Sequence, residues 1–292
     1  MPELPEVETI ARGVHARVRG DQIVDVWFGS KKEPFKTPAT RQARGLEGRT
    51  ILEVHRTGKH LVMELGASPG LAGSSPAGGG PLEENRGGST AAQWIVHLGM
   101  TGRLLVTTPE APVAKHTHAR LTLASGREVR FVDPRRFGRL EFRDLAKGEG
   151  FGAPGAEPLQ IEAEAFAALF RGRKLAIKAA LLNQTLLAGV GNIYADEGLF
   201  RAGVRPRRQA GRLRREELER LRVALREVLQ HAIRLGGSSV ADYVDAEGVK
   251  GFFQLEHKVY QRTGEPCRVC KTTILRIVVA GRSTHYCPTC QR

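Results

Sequence analysis

The last 26 residues hold all four cysteines, as Cys267-x-x-Cys270 and, after sixteen residues, Cys287-x-x-Cys290. No other feature limits the fold as tightly. Two Cys-x-x-Cys knuckles at this spacing close a thiolate tetrahedron around one zinc ion. Four thiolates leave no open coordination position, so the metal is expected to be structural. Residues 272–280 and 283–286 flank Gly281-Arg282 and read as a β-hairpin with an arginine at its tip. A metal pattern that takes every cysteine fits a reducing compartment, where disulfides do not persist.

Charge narrows the partner. Lys and Arg number 45 against 31 Asp and Glu, a net charge of +14, and such an excess points to a polyanion, nucleic acid first. The 292 residues suffice for two domains or one large one, and the 41% hydrophobic content argues against wholesale disorder. No apolar run has the length of a spanning helix. Glu3, Glu6 and Glu8 stand where a signal peptide needs a basic and then an apolar stretch. A cytoplasmic monomer with no membrane partner is expected.

Val7, Ile10, Ala11, Val14 and Val18 follow helical spacing, with Gly20-Asp21 closing the helix. From residue 23 to about 143, short β-rich runs at 23–28, 50–56, 60–65, 93–97, 103–107, 119–123, 128–132 and 138–142 suggest a sandwich or barrel. Residues 66–92 interrupt them with almost no β-branched or aromatic residue, which predicts a flexible insertion. Residues 148–158 are rich in Gly and Pro and mark a domain boundary. Helices are expected at 162–170, 174–184, 192–201 and 216–235, then a loop at 238–251. The class is therefore α+β multidomain. An N-terminal β-sandwich domain covers 1–147, a linker 148–158, a helical domain 159–256 and a zinc finger 257–292.

The first six residues carry latent chemistry. Once Met1 is removed, Pro2 is a secondary amine that titrates near the α-amino value of about 8, against about 10.4 for lysine. Such an amine can attack an electrophilic carbon and form a Schiff base, and Glu3 and Glu6 are acid/base groups within reach. Alone, Pro2, Pro5 and the acidic residues read as a helix start. Gly189-Val190-Gly191-Asn192 precedes a helix, where backbone amides suit an anion; with Lys178 nearby, a DNA phosphate is the expected one. Asp133-Pro134-Arg135-Arg136-Phe137-Gly138 is a turn; its Phe137 could equally be core, but a turn aromatic beside arginines suits stacking on bases and wedging into a duplex. Met100, between Gly99 and Gly102, reads by itself as a gap-filling core methionine. Arg282 is a candidate phosphate or groove contact.

These blocks, in this order, resemble the bacterial formamidopyrimidine-DNA glycosylases, also called 8-oxoguanine DNA glycosylases. The match runs through MPELPEVET at 1–9, Arg56-x-Gly-Lys59, HLGMTG at 97–102, DPRRFG at 133–138, 178–184, GVGNIYADE at 189–197 and the terminal cysteine module. The stretch 66–92 departs from the family's compact loop. The resemblance implies a β-sandwich with a catalytic N-terminal helix, a helix–two-turn–helix domain and a β-hairpin zinc finger. It implies a bifunctional enzyme that flips an oxidised purine out of double-stranded DNA, excises it through Pro2 and cuts the strand by β,δ-elimination.

In that resemblance Glu3 is the general acid/base, Glu6 supports the catalytic terminus, and Lys59 contacts DNA and assists catalysis. Met100, Arg135 and Phe137 fill the gap, with Arg135 on the orphaned cytosine. Lys59, His97, Asn192 and Arg282 grip phosphates, Lys178 joins the DNA-binding set, and 238–251 covers the extruded base. Cys267, Cys270, Cys287 and Cys290 hold the zinc. Two rivals remain. One is the endonuclease VIII branch, with oxidised pyrimidines as substrates, against which Leu4 and the intact DPRRFG turn argue. The other is a non-catalytic damage-binding protein, against which Pro2, Glu3 and Lys59 together argue.

Overall fold

In the computed structural model, residues 1–30, 34–67, 89–239 and 244–292 are described. Most of the expected insertion, 68–88, and part of the expected loop, 240–243, lie outside them. The chain divides into two units. The first holds residues 1–2, 7–152 and 242–250, the second 3–6, 153–241 and 251–292.

The helix α1 (Leu4–Val18) belongs to the first unit from Val7 on, and its Val7, Ile10, Ala11, Val14 and Val18 are buried in that unit's core. Among the described residues eight strands follow: β1 (Ile23–Phe28), β2 (Ile51–Thr57), β3 (His60–Leu65), β4 (Ala92–His97), β5 (Arg103–Thr107), β6 (Thr117–Leu123), β7 (Glu128–Val132) and β8 (Arg139–Asp144). They form two antiparallel four-stranded sheets, β1-β6-β7-β5 and β2-β3-β4-β8. Alternate residues of both sheets, among them Leu121, Phe131, Met63 and Trp94, fill one core, as a sandwich requires. The ends of the expected insertion belong to the ladder: Ala92 starts β4, and the Ala91 N–H donates to Leu65 O.

A helix that the pattern of strands hid, α2 (Ala39–Leu46), starts after Pro38. Its inward residues are Gln42 and Leu46. Gln42 is fully buried, accepts the Trp94 indole N–H at 2.9 Å and donates to Thr37 O at 2.8 Å. A polar residue in the core, fully bonded, costs little.

The second unit is helical, with α3 (Ala163–Ala168), α4 (Ile177–Leu182), α5 (Asn192–Ala202) and α6 (Arg215–Arg234) around one apolar core that also takes in Leu4 and Phe253. Leu218, Leu221, Leu225, Val228, Leu229 and Ala232 are the buried stripe of α6. The chain ends in the hairpin β9 (Leu275–Val279) and β10 (Arg282–Tyr286). Arg282 pairs with Val279, so Ala280 and Gly281, both at positive φ, form the two-residue turn.

Candidate functional site

In the second unit, α5 organises the chemistry. Its first turn presents free backbone N–H groups, and the Glu3 carboxylate takes two of them, Ile193 at 3.1 Å and Tyr194 at 3.4 Å. Gly189-Val190-Gly191 is shaped by this contact. The Leu4 N–H donates to Gly189 O at 3.0 Å. A Cβ on Gly191 would stand 2.2 Å from Glu3 Cδ, and Gly189 sits at a φ of +84° against Leu4. The glycines do admit an anion, as expected. That anion is a carboxylate of the same chain: the Ile193 and Tyr194 amides serve Glu3 and not a phosphate.

Glu6 is buried on three donors: the Tyr194 hydroxyl at 2.5 Å, Ser238 N–H at 2.7 Å and Glu3 N–H at 2.8 Å. Burial raises its pKa, and these hydrogen bonds oppose the rise. Gly237, at a φ of +82°, leaves room for it, since a Cβ there would lie 2.9 Å from Glu6 Cγ.

Lys178 is fully buried. Its Nζ lies 2.7 Å from Asp196 Oδ1 and 2.9 Å from both Ser283 O and Thr284 Oγ1. Three partners use the three donors of an ammonium. In place of the DNA contact expected of it, Lys178 makes an internal clamp. Burial lowers the Lys178 pKa, and the Asp196 charge opposes this. Asp196 Oδ2 accepts the His285 backbone N–H at 2.9 Å and lies 3.2 Å from its Nδ1. Asn192 Nδ2 donates to Ser283 O at 3.0 Å. Arg282, the residue before this clamp, is exposed. Glu197, buried one residue on, accepts the N–H groups of Lys258, Val259 and Tyr260 at 2.9–3.0 Å. The motif residues Asp196 and Glu197 had no assigned role in the sequence. Their acidity within an otherwise buried helix was the available signal.

In the first unit, three connections leave the same end of the β2-β3-β4-β8 sheet. Gly58-Lys59 turns β2 into β3, with Gly58 at a φ of +60°. The segment after β4 carries Met100, and the segment before β8 carries Arg135 and Phe137. Lys59 is 8% exposed, whereas Met100 and Phe137 are 44% and 49% exposed. The core reading of Met100 is therefore replaced: an unbranched apolar side chain stands in solvent. The Arg135 guanidinium lies 4.7 Å from the Phe137 ring centre. Asp133, fully buried, accepts from Thr101 Oγ1 at 2.6 Å, Arg135 N–H at 3.2 Å and Gly138 N–H at 2.8 Å. It ties the Met100 segment to the Phe137 turn. A Cβ on Gly99, which sits at a φ of +61°, would come within 2.5 Å of the Phe137 backbone. His97 Nδ1 accepts the Gly99 N–H at 3.2 Å. Pro2 is buried, and Met1 is half-exposed.

The sulfurs of Cys267, Cys270, Cys287 and Cys290 lie within 4.8 Å of one another. Cys267 and Cys290 are 3.9 Å apart, Cys270 and Cys287 3.3 Å. A tetrahedron with zinc–sulfur bonds of about 2.3 Å needs sulfurs about 3.8 Å apart. Backbone N–H groups of Val269 and Cys290 point to Cys267 and Cys287 sulfurs at 3.4 Å, as the turns of a zinc knuckle do. The donor set fits one structural zinc. Among the described residues, no helix is long and apolar enough to cross a membrane.

Comparison with known proteins agrees with both units. Residues 1–140 match the formamidopyrimidine-DNA glycosylase N-terminal domain, 153–244 the H2TH domain of the same enzymes, and 264–292 the zinc finger found in FPG and IleRS. A formamidopyrimidine-DNA glycosylase of Solibacter usitatus is 44% identical over 292 residues, covering all of both chains. The solved MutM (Fpg) protein of Thermus thermophilus is 40% identical with a TM-score of 0.80, covering 99% of this chain and 98% of that one. Lactococcus lactis Fpg in complex with abasic-site DNA is 33% identical with a TM-score of 0.82, covering 99% of each chain. The same Lactococcus protein has been solved with DNA containing an oxidised pyrimidine. With three domain models in sequence and relatives matched end to end, the chain belongs to the formamidopyrimidine-DNA glycosylase family.

Proposed function

We propose that the chain removes oxidised purines, 8-oxoguanine and formamidopyrimidines, from duplex DNA and then cuts the strand at the resulting site. The supporting observation is the carboxylate of Glu3, held on the first turn of α5 one residue after Pro2. The target atom is unreachable in a stacked duplex, so the damaged nucleotide is flipped out. The Pro2 nitrogen attacks the anomeric carbon of the sugar. The bond to the base breaks, and the base leaves with a proton. Glu3 serves as the acid/base that opens the sugar ring, and the product is an iminium of Pro2. The iminium acidifies the neighbouring carbon. Loss of a proton there expels the 3′ phosphate, and a second elimination expels the 5′ phosphate. Water releases the remaining sugar fragment.

Glu6 holds the Glu3 backbone through its N–H. Lys59 contacts DNA beside the lesion and assists catalysis. Met100, Arg135 and Phe137 occupy the vacated space, and His97, Asn192 and Arg282 take phosphates. Lys178 acts from inside, through Ser283 and Thr284. Residues 159–256 bind DNA, and 238–251 cover the extruded base. The nucleophile exists only after Met1 is removed, since a retained Met1 leaves an amide nitrogen. The working enzyme is a cytoplasmic monomer.

Borohydride in the presence of an 8-oxoguanine duplex should trap the protein covalently through Pro2. Excision without any trapped adduct, or an adduct on another residue, would sink the imine route. Glu3→Gln should bind the duplex and lose excision. The oxidised-pyrimidine complex of the Lactococcus relative supports a second substrate class. Single-turnover excision from 8-oxoguanine and thymine-glycol duplexes ranks the two.

A further inference from the structure

Two of the donors on Glu6 come from elsewhere in the second unit, the Tyr194 hydroxyl and the Ser238 N–H. One short segment backs both: the 3-10 turn Phe253–Glu256 and His257, which follows it. The Phe253 ring is fully buried and packs with its centre 5.5 Å from that of Tyr194. The Phe253 N–H donates to Gly237 O at 2.9 Å. That oxygen shares a peptide plane with the Ser238 N–H, so the bond to Phe253 and the bond to Glu6 orient the same rigid group. The Ser238 side chain is anchored in turn, with Oγ 3.3 Å from His257 Nε2. Ser238 and His257 are both buried.

The anchor answers a local weakness. Gly236 and Gly237 enter Ser238 at φ values of +73° and +82°. Glycine backbones range widely, so this stretch does not by itself fix the direction of the Ser238 N–H. His257 suits the task because it carries no charge at cellular pH. Burial lowers its pKa to about 4, against a backbone hydrogen bond with Tyr260 and with help from Arg268, Arg262 and His285. A neutral imidazole and a hydroxyl bond to each other in either tautomer, and each satisfies a polar atom of the other without burying an ion. The ring stands edge-on between Phe253, at 5.5 Å, and Tyr260, at 5.4 Å, which holds its nitrogen on Ser238.

We propose that His257 is a positioning residue for base excision: through Ser238 it keeps the Ser238 N–H on Glu6, and Glu6 in turn holds the peptide that joins Pro2 to Glu3. The proposal rests on the excision reading above and deepens it. Without the anchor, the Ser238 N–H drifts from Glu6, and Glu6 loses its hold on the Glu3 N–H. Nucleophile and acid/base group then lose alignment together, which slows a step that depends on close geometry. No DNA contact proposed above involves His257, so affinity is spared.

The test measures single-turnover excision of 8-oxoguanine, affinity for an abasic-analogue duplex and the thermal midpoint. His257→Phe keeps the ring and removes the polar contact; Ser238→Ala removes the other partner. Each should slow excision about tenfold, the worth of one buried hydrogen bond. The double variant should be no slower than either single one, because both remove the same bond. His257→Gln, which restores a polar group, should recover most of the rate. Affinity of the His257 variants should stay within a few-fold of native. A native rate in folded His257→Phe overturns the proposal, as does a loss in the double variant that multiplies the two single losses. A slowing that follows the thermal midpoint, with His257→Gln no faster than His257→Phe, marks a packing role and also overturns it. Where His257→Phe does not fold, a native rate in Ser238→Ala overturns it. A native protein that excises no oxidised base fails the excision reading itself.

Discussion

Gly191 shows how one residue can carry a site by what it lacks. Its backbone is extended and open to any residue, at a φ of −128°. Only space demands glycine, because a Cβ would overlap the Glu3 carboxyl carbon. Gly191→Ala should therefore displace Glu3 and slow single-turnover excision by about 100-fold or more, the range of a general acid/base. Affinity for an abasic-analogue duplex should hold within a few-fold, and a native excision rate would show that Glu3 needs no such seat. Asp133 carries the opposite lesson, a buried carboxylate that accepts from three donors. Asp133→Asn sets an amide N–H against one of them, at a cost of about 1–3 kcal/mol. The expected result is a lower thermal midpoint and weaker lesion-duplex binding with excision chemistry retained at saturation. These local facts were only half legible. The sequence marked the Gly189–Gly191 turn as an anion seat but not which anion, because Glu3 is distant along the chain. Lys178 was misplaced for the same reason: its partners, Ser283 and Thr284, belong to the terminal hairpin.

At the scale of elements, alternation and turn residues located all eight sandwich strands to within a few residues. They missed α2, because its inward face is Gln42 and Leu46 and its Gly45 packs against the Phe142 ring, so no apolar stripe announces a helix. The start of α6 offers a pH test. Glu217 accepts the Arg214 N–H at 2.8 Å and meets Arg208 at 2.5 and 2.9 Å, and chiefly the Arg208 hydrogen bond lowers its pKa from 4.5 to about 2. The folded value lies below the unfolded one, so this stability is present above pH 4.5 and is lost as pH falls toward 2. Arg208 is 31% exposed, so solvent screens part of the effect. Glu217→Gln should cost about 2 kcal/mol at neutral pH by urea unfolding. The gap to the native protein should narrow as the pH is lowered through 4. Breaking the Lys178–Asp196 pair by Lys178→Met strands a buried carboxylate and should cost about 3–5 kcal/mol. Lys178→Met combined with Asp196→Leu should cost less than the single change if the pair is a clamp.

Across the molecule, α5 joins functions that the sequence lists separately. Its first turn seats Glu3, Tyr194 holds Glu6, Asp196 holds β10, and Glu197 holds 258–260. Removing the zinc with a strong chelator should therefore speed amide hydrogen exchange at 283–286 and also at 192–197. Exchange confined to the hairpin would show that the metal module and α5 are independent. Duplex affinity should fall in parallel, because Arg282 is carried by β10.

The close approach of Gly99 to the Phe137 backbone, with Asp133 tying Thr101 to the same turn, couples the segments that carry Met100 and Phe137. Two separate probes would sample a base pair twice, each with its own failure rate. A single probe samples it once, and a pair that resists is abandoned whole. Under the proposed gap-filling role, the time spent on undamaged DNA would then be governed by one barrier, that of inserting both side chains together.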